Sequence, residues 1–275
     1  MKYLVAIGIG ILFGFLGKIA VPLSYFISKI EDGKECSNCK TRGSCFARKK
    51  MILCNSQYID ELIVYSFCRV RHTCAFSAKS LMRQDAIYIT VNVILTVFLF
   101  WSKGMSIETC LYSVVTATLV SLSVVDWNTQ YIPLEYNVVI FVCGLIRLFA
   151  DYSDWLECLI GLIAVSGFLC IVNWISVPVL RKRYREEREI DSAIGDGDIK
   201  LMAATGLLLG WKLNFFALGI GCIAGSVIHL ILMKIKGSDR QFALGPYLSL
   251  GVYITMICGR QLVGWYLNMM GVKPL

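Results

Sequence analysis

Residues 107–133 read IETCLYSVVTATLVSLSVVDWNTQYIP. The run 107–125 approaches the ~20 residues that an α-helix needs to cross a bilayer core. It then meets Asp126, an ionisable side chain at the edge of an apolar segment. Such a residue is costly there unless it is paired or faces water. This stretch predicts a membrane helix that ends on a carboxylate. The rest of the chain decides whether it stands alone.

It does not. Similar apolar runs lie at 3–28, 86–102, 136–150, 155–180, 199–211, 213–233 and 243–258, which makes about eight transmembrane helices. A further stretch, 261–271, is broken by Gly264 and Gly271 and reads as an interfacial helix or an extension of the eighth span. The first run is too long for a signal-peptide core and lacks an A-x-A site, so it reads as a retained span. Neither an internal repeat nor a low-complexity tract interrupts the series.

Composition agrees. Of 275 residues, 57% are hydrophobic and 17% charged, with a mean hydropathy of +0.66. A soluble domain runs near ~45–50% apolar and ~25% charged. A soluble enzyme, a nucleic-acid-binding domain and a disordered chain are excluded. The fold class predicted is all-α and polytopic, embedded in membrane lipid, with no nucleic-acid partner. Its divisions are a first transmembrane helix at 1–28, a Cys-containing loop domain at 29–85 and a membrane domain at 86–275.

Charge sets the orientation. The net charge is +8, and 20 of the 27 Lys and Arg fall in segments 29–85, 181–200 and 234–240. Eight spans place these three segments on one side if the N-terminus is outside. The positive-inside rule makes that side cytoplasmic. The connection holding Asp151, Asp154 and Glu157 is acidic and lies opposite.

A second carboxylate shares the depth of Asp126. Asp198 sits in IDSAIGDGDIKLMAATGLLLGW, where a basic cytoplasmic loop enters the sixth span. Two close carboxylates cannot both ionise cheaply, so such a pair shares one proton. That is what aspartic proteolysis requires: an ionised carboxylate to activate water and a protonated one to serve the scissile carbonyl. Gly195 and Gly197 are expected to allow close approach and positive φ before the helix begins. Asp198 then falls in the first helical turn, where the helix dipole favours its anion. A plainer reading makes Asp196 and Asp198 capping acids and Asp126 a solvated loop residue.

Three motifs carry a resemblance. GDGDIKLMAATGLLLG resembles the G-x-G-D-x-K-L-x-A-x-x-G signature of type IV prepilin peptidases, through Gly195, Gly197, Asp198, Lys200, Leu201, Ala203 and Gly206. Asp126 followed by Ile132-Pro133 is similar to the family's D-x5-[IL]-P. ALGPYLSLG is similar to its G-P-x-L-x-L-G, through Gly245, Pro246, Leu248, Leu250 and Gly251. The resemblance covers roughly residues 120–255.

It implies a GxGD-type membrane aspartic endopeptidase with Asp126 and Asp198 as the catalytic pair and no cofactor for proteolysis. The implied partner is a prepilin or pilin-like pseudopilin. It carries a short basic leader ending in Gly, cut at the cytoplasmic face of the bacterial cytoplasmic membrane. Glu135 and Asp196 are candidates to meet that leader. The family continues I-P-D or I-P-N, whereas Pro133 here precedes Leu134 and Glu135; Glu135 then replaces the polar group, or the position is dispensable. Two other classes stand beside this one. An ion- or proton-coupled transporter would use the same two carboxylates. A presenilin-like protease would cut within the bilayer, against which the Asp126–Pro133 and G-P-x-L-x-L-G motifs argue.

Of twelve cysteines, six lie in the loop: Cys36, Cys39, Cys45, Cys54, Cys68 and Cys74. A reducing cytoplasm disfavours disulfides. Cys36-x2-Cys39 is half of a tetrahedral zinc site that Cys68 and Cys74, or His72, could complete; the alternative is unpaired thiols. Bifunctional members of the family carry C-x2-C…C-x2-C here, associated with N-methylation using S-adenosylmethionine. The second pair in this chain is C-x5-C, and the family's surrounding loop elements are absent. Cys110, Cys143, Cys158, Cys170, Cys222 and Cys258 read as small hydrophobes. Lys18 and Arg147 read as snorkelling charges, and His229 as a packed histidine.

Overall fold

The computed structural model describes residues 2–31, 78–150, 155–183, 192–236 and 243–271. Every regular element among them is an α-helix. These are α1 (Lys2–Glu31), α2 (Ala78–Lys103), α3 (Ile107–Thr129), α4 (Leu134–Ala150), α5 (Trp155–Arg183), α6 (Asp196–Leu209), α7 (Trp211–Lys236) and α8 (Gly245–Met269). By length and composition α3, α5 and α7 can cross a membrane, and shorter apolar stretches lie in α1 and α2. The protein is polytopic and all-α, as its composition requires. Helices satisfy their own backbone groups, which the hydrocarbon cannot do.

Two units make up the chain, residues 1–101 and 102–275. In the first, α1 meets α2 where Gly10 and Gly14 lie against Val93 and Ile89. A Cβ on Gly10 would stand 2.9 Å from the Val93 Cα. Small residues allow this backbone approach between membrane helices. Helix α1 runs to Glu31 and α2 begins at Ala78, so both ends of the loop expected at 29–85 are helical. Residues 32–77, with Cys36, Cys39, Cys68, Cys74 and His72, lie outside the described residues.

In the second unit, α6 is the central element. It touches α4, α5, α7 and α8, and nine of its 14 residues are buried. Its length is about 21 Å at ~1.5 Å per residue, short of the ~30 Å hydrocarbon core. Protein walls rather than lipid surround most of it, so full spanning length is not demanded. The closest crossing is with α5. A Cβ on Gly206 would fall 2.0 Å from the Gly161 carbonyl oxygen, and only glycine fits there. Helix α6 ends at Gly210, whose φ of 82° is left-handed, and α7 starts at Trp211. Residues 210 and 211, expected inside the sixth span, are therefore a turn and the start of the seventh.

Helix α3 is rich in hydroxyls yet buried. Ser113, Thr116, Thr118, Ser121 and Ser123 each donate to the carbonyl four residues earlier. That back-bonding gives each hydroxyl an acceptor within its own helix. The stretch 261–271 extends the eighth helix: α8 continues through Gly264 to Met269.

Candidate functional site

Asp126 occupies the last turn of α3. Gln130 closes that helix in a left-handed conformation (φ 56°) and donates its N–H to the Asp126 carbonyl at 2.8 Å. Such a cap turns the chain sharply. Tyr131, Ile132 and Pro133 then lead into α4. Ile132 and Pro133 are buried, whereas Glu135 is exposed.

Asp198 occupies the first turn of α6, as expected from its position after the glycines. Its backbone N–H donates to the Gly195 carbonyl at 3.0 Å. The glycines act otherwise than expected. Neither has positive φ: Gly195 caps α6 at φ −61°, and Gly197 is already inside the helix. Gly197 serves close approach alone. A Cβ there would stand 2.7 Å from the Ile132 Cβ.

The third motif closes the junction. Gly245 opens α8, and its N–H donates to Asp126 Oδ2 at 2.9 Å. The N-terminus of α8 thus presents its positive end to this carboxylate. A Cβ on Gly245 would lie 2.6 Å from Asp126 Oδ2 and 3.2 Å from Ile132 Cδ1. Ile132 therefore touches both glycines, one beside each aspartate. Pro246 follows at the start of the helix, where its missing N–H costs nothing.

Both carboxylates are buried: Asp126 is 4% exposed and Asp198 9%. They lie within electrostatic reach of each other. Asp198 Oδ1 is buried and has no hydrogen-bond partner. A buried acceptor without a partner costs about 1–3 kcal/mol, so this atom is held ready for a donor. Asp126 is therefore not a solvated loop residue, and Asp198 does not cap its own helix. Asp196 and Lys200 are exposed on α6 and stand apart from the pair.

Sequence reasoning missed one polar group and misread another. Asn137, on α4, is 4% exposed and donates its Nδ2 to the Gly197 carbonyl at 3.4 Å. The buried amide beside the G-x-G-D turn is thus Asn137, while Glu135 points out. Its only sequence signal is a polar side chain one turn into an apolar helix. Arg147 does not snorkel. It hydrogen-bonds the Leu208 carbonyl and pairs with Glu108 at 3.6 Å, with its side chain only 12% exposed. Among the described cysteines, Cys143 and Cys158 are buried and the other four sit on exposed helix faces, none in a disulfide. The described residues contain no cluster of three or more His, Cys, Asp or Glu able to hold a metal.

Fold and site together define a polytopic membrane protein with two buried carboxylates gathered where α3, α6 and α8 meet. Residues 113–230 match the Type IV leader peptidase family. The chain is 28% identical over 181 residues to a prepilin leader peptidase/N-methyltransferase of Legionella pneumophila, covering 65% of this chain and 60% of that protein. A protein of the same name from Pectobacterium carotovorum subsp. carotovorum is 27% identical over 199 residues, covering 71% and 67%. One from Pseudomonas aeruginosa is 22% identical over 222 residues, covering 78% and 72%. No solved structure matches.

Proposed function

We propose that this protein is a membrane aspartic endopeptidase that removes the basic leader from type IV prepilins or pilin-like pseudopilins, with Asp126 and Asp198 as its catalytic pair. One observation carries the reading. Two carboxylates from segments far apart in sequence are both buried at one junction, in electrostatic reach, with Asp198 Oδ1 unsatisfied. The family match over 113–230 and the names of the relatives supply the substrate class.

The chemistry follows from one shared proton. The ionised carboxylate takes a proton from a water molecule, whose oxygen attacks the scissile carbonyl carbon. The protonated carboxyl gives its proton to the carbonyl oxygen. Collapse of the tetrahedral intermediate breaks the C–N bond. The amine leaves with a proton, giving a leader carboxylate and a new amino terminus. The Gly245 N–H fixes the direction of the Asp126 carboxylate throughout. The positive-inside reading of the basic segments supports a junction at the cytoplasmic face of the bacterial inner membrane.

The relatives' name also contains N-methyltransferase. S-adenosylmethionine would supply the methyl group in that second reaction. Incubation with a prepilin-like peptide, followed by mass spectrometry, scores cleavage and a methyl increment separately. Cleavage after the leader glycine is expected. An intact peptide, together with proton or ion flux that depends on Asp198 in liposomes, would support the transporter class instead.

A further inference from the structure

The peptide unit that joins Gly197 to Asp198 is held on both sides. Its N–H, belonging to Asp198, donates to the Gly195 carbonyl at 3.0 Å. Its carbonyl, belonging to Gly197, accepts from Asn137 Nδ2 at 3.4 Å. The first contact is local to the turn. The second comes from the side chain of another helix, α4. Asn137 is 4% exposed, and its own Oδ1 is buried without a partner. An apolar residue of similar size would avoid that orphaned acceptor. Keeping an amide here implies that its donor matters.

Resting on the peptidase reading above, we propose that Asn137 is a positioning residue that fixes the plane of the Gly197–Asp198 peptide. It thereby aims the Asp198 carboxylate at Asp126 and the attacking water. Asp198 lies in the first turn of α6, so the direction of its side chain follows the orientation of the peptide that precedes it. The space a Gly197 Cβ would fill is occupied by Ile132. The 3.4 Å contact lies at the long end of hydrogen-bond distances. Ile132 and Asn137 thus approach the turn from one segment, Ile132 by contact and Asn137 by hydrogen bond.

Three variants test this in the full-length protein, reconstituted with a prepilin-like peptide. Asn137→Ala lowers kcat by about 10–100-fold with KM little changed, as for other groups that orient a reacting residue. Asn137→Ser, which keeps a donor, recovers part of the loss. Asn137→Asp is nearly isosteric and supplies a readout that packing alone would not move. Its carboxyl can donate to the Gly197 carbonyl only when protonated and repels it when ionised. The ratio of its kcat to that of the wild type therefore falls as pH rises. Asp126 and Asp198 are the titratable groups that α3 and α6 bring to this junction, and both are present in variant and wild type. A third carboxyl would itself shift that pair, so the ratio is read beside the pH profile of Asn137→Ala, which adds no charge.

Unchanged kcat in Asn137→Ala, or a pH-independent ratio for Asn137→Asp, overturns the role of Asn137. Asp126→Asn run in parallel separates the two ideas. Retained cleavage in that variant sinks the peptidase assignment, whereas its loss beside unaffected Asn137 variants sinks only the positioning role. Thermal unfolding in detergent identifies a variant that fails to fold; the Asn137→Ser result then decides.

Discussion

Helices α3, α4 and α6 carry polar groups at both ends, and the two ends are built differently. At one end, Arg147 of α4 pairs with Glu108 of α3 and bonds the last turn of α6 at Leu208. Lys212 pairs with Glu157 at 2.6 Å beside it. These four charges are paired. At the other end, two buried carboxylates share one junction, and the Asp198 Oδ1 and Asn137 Oδ1 atoms have none. Buried polar groups are normally satisfied, and unsatisfied ones at a functional site are a mark of prepared chemistry. The comparison teaches that α6 is anchored at its C-terminal end and held reactive at its N-terminal end.

The largest effect should come from the reactive end. Asp126→Asn and Asp198→Asn should each lower leader cleavage by roughly a thousandfold or more, and the double variant should add little, because the pair acts as a unit. Peptide cleavage followed by mass spectrometry checks this in a preparation free of host peptidase. Robust cleavage by either single variant would break the comparison.

Gly245→Ala comes next. Its new Cβ would stand 2.6 Å from Asp126 Oδ2 and 3.0 Å from its Cγ. The carboxylate must move, and displacement of a reacting group by ~1 Å can cost about a hundredfold in rate. Alanine is otherwise tolerated in a first helical turn, so the melting temperature should change little. Parallel losses of rate and stability would mean that Gly245 serves packing rather than the site.

The anchored end should respond the other way. Arg147→Met removes one partner of a largely buried pair and leaves the Leu208 carbonyl without its donor. Breaking such a pair can cost 3–5 kcal/mol when both charges are fully buried. Glu108 is 37% exposed, so about 1–3 kcal/mol is expected here. Unfolding in detergent should show that loss, while the folded fraction keeps its kcat within about twofold. A variant of normal stability but low activity would show that the two ends are not independent.

These contrasts were unequally legible in the sequence. The spans could be read because membrane helices announce themselves by length and apolarity. The aspartates could be read because three motifs surround them. Asn137 lies outside any motif and gains meaning only when α4 is packed on α6. Arg147 looked like a snorkelling charge because it lies near a helix end, and its partners come from two other helices. Gly197 was expected to provide an unusual backbone angle, yet what matters is the Ile132 side chain that fills the place of its Cβ. Pairings between distant segments leave no local trace, which is why the missed contacts are all of this kind.

The smallest effect concerns charges that border the reactive end without entering it. Asp196 opens α6 and Glu135 lies in the first turn of α4; both are exposed, unlike Asp126 and Asp198. If they attract the basic leader, they act through solvent, where an ion pair contributes roughly 0.2–1 kcal/mol. Asp196→Asn and Glu135→Gln should then raise KM by about two- to fivefold at low salt and leave kcat unchanged. The increase should fade as ionic strength rises, since ~1 M salt screens charges beyond about 3 Å. Steady-state kinetics at two salt concentrations separates this from a catalytic role. A collapse of kcat in Asp196→Asn would move that carboxylate into the working pair and displace one of the two buried ones.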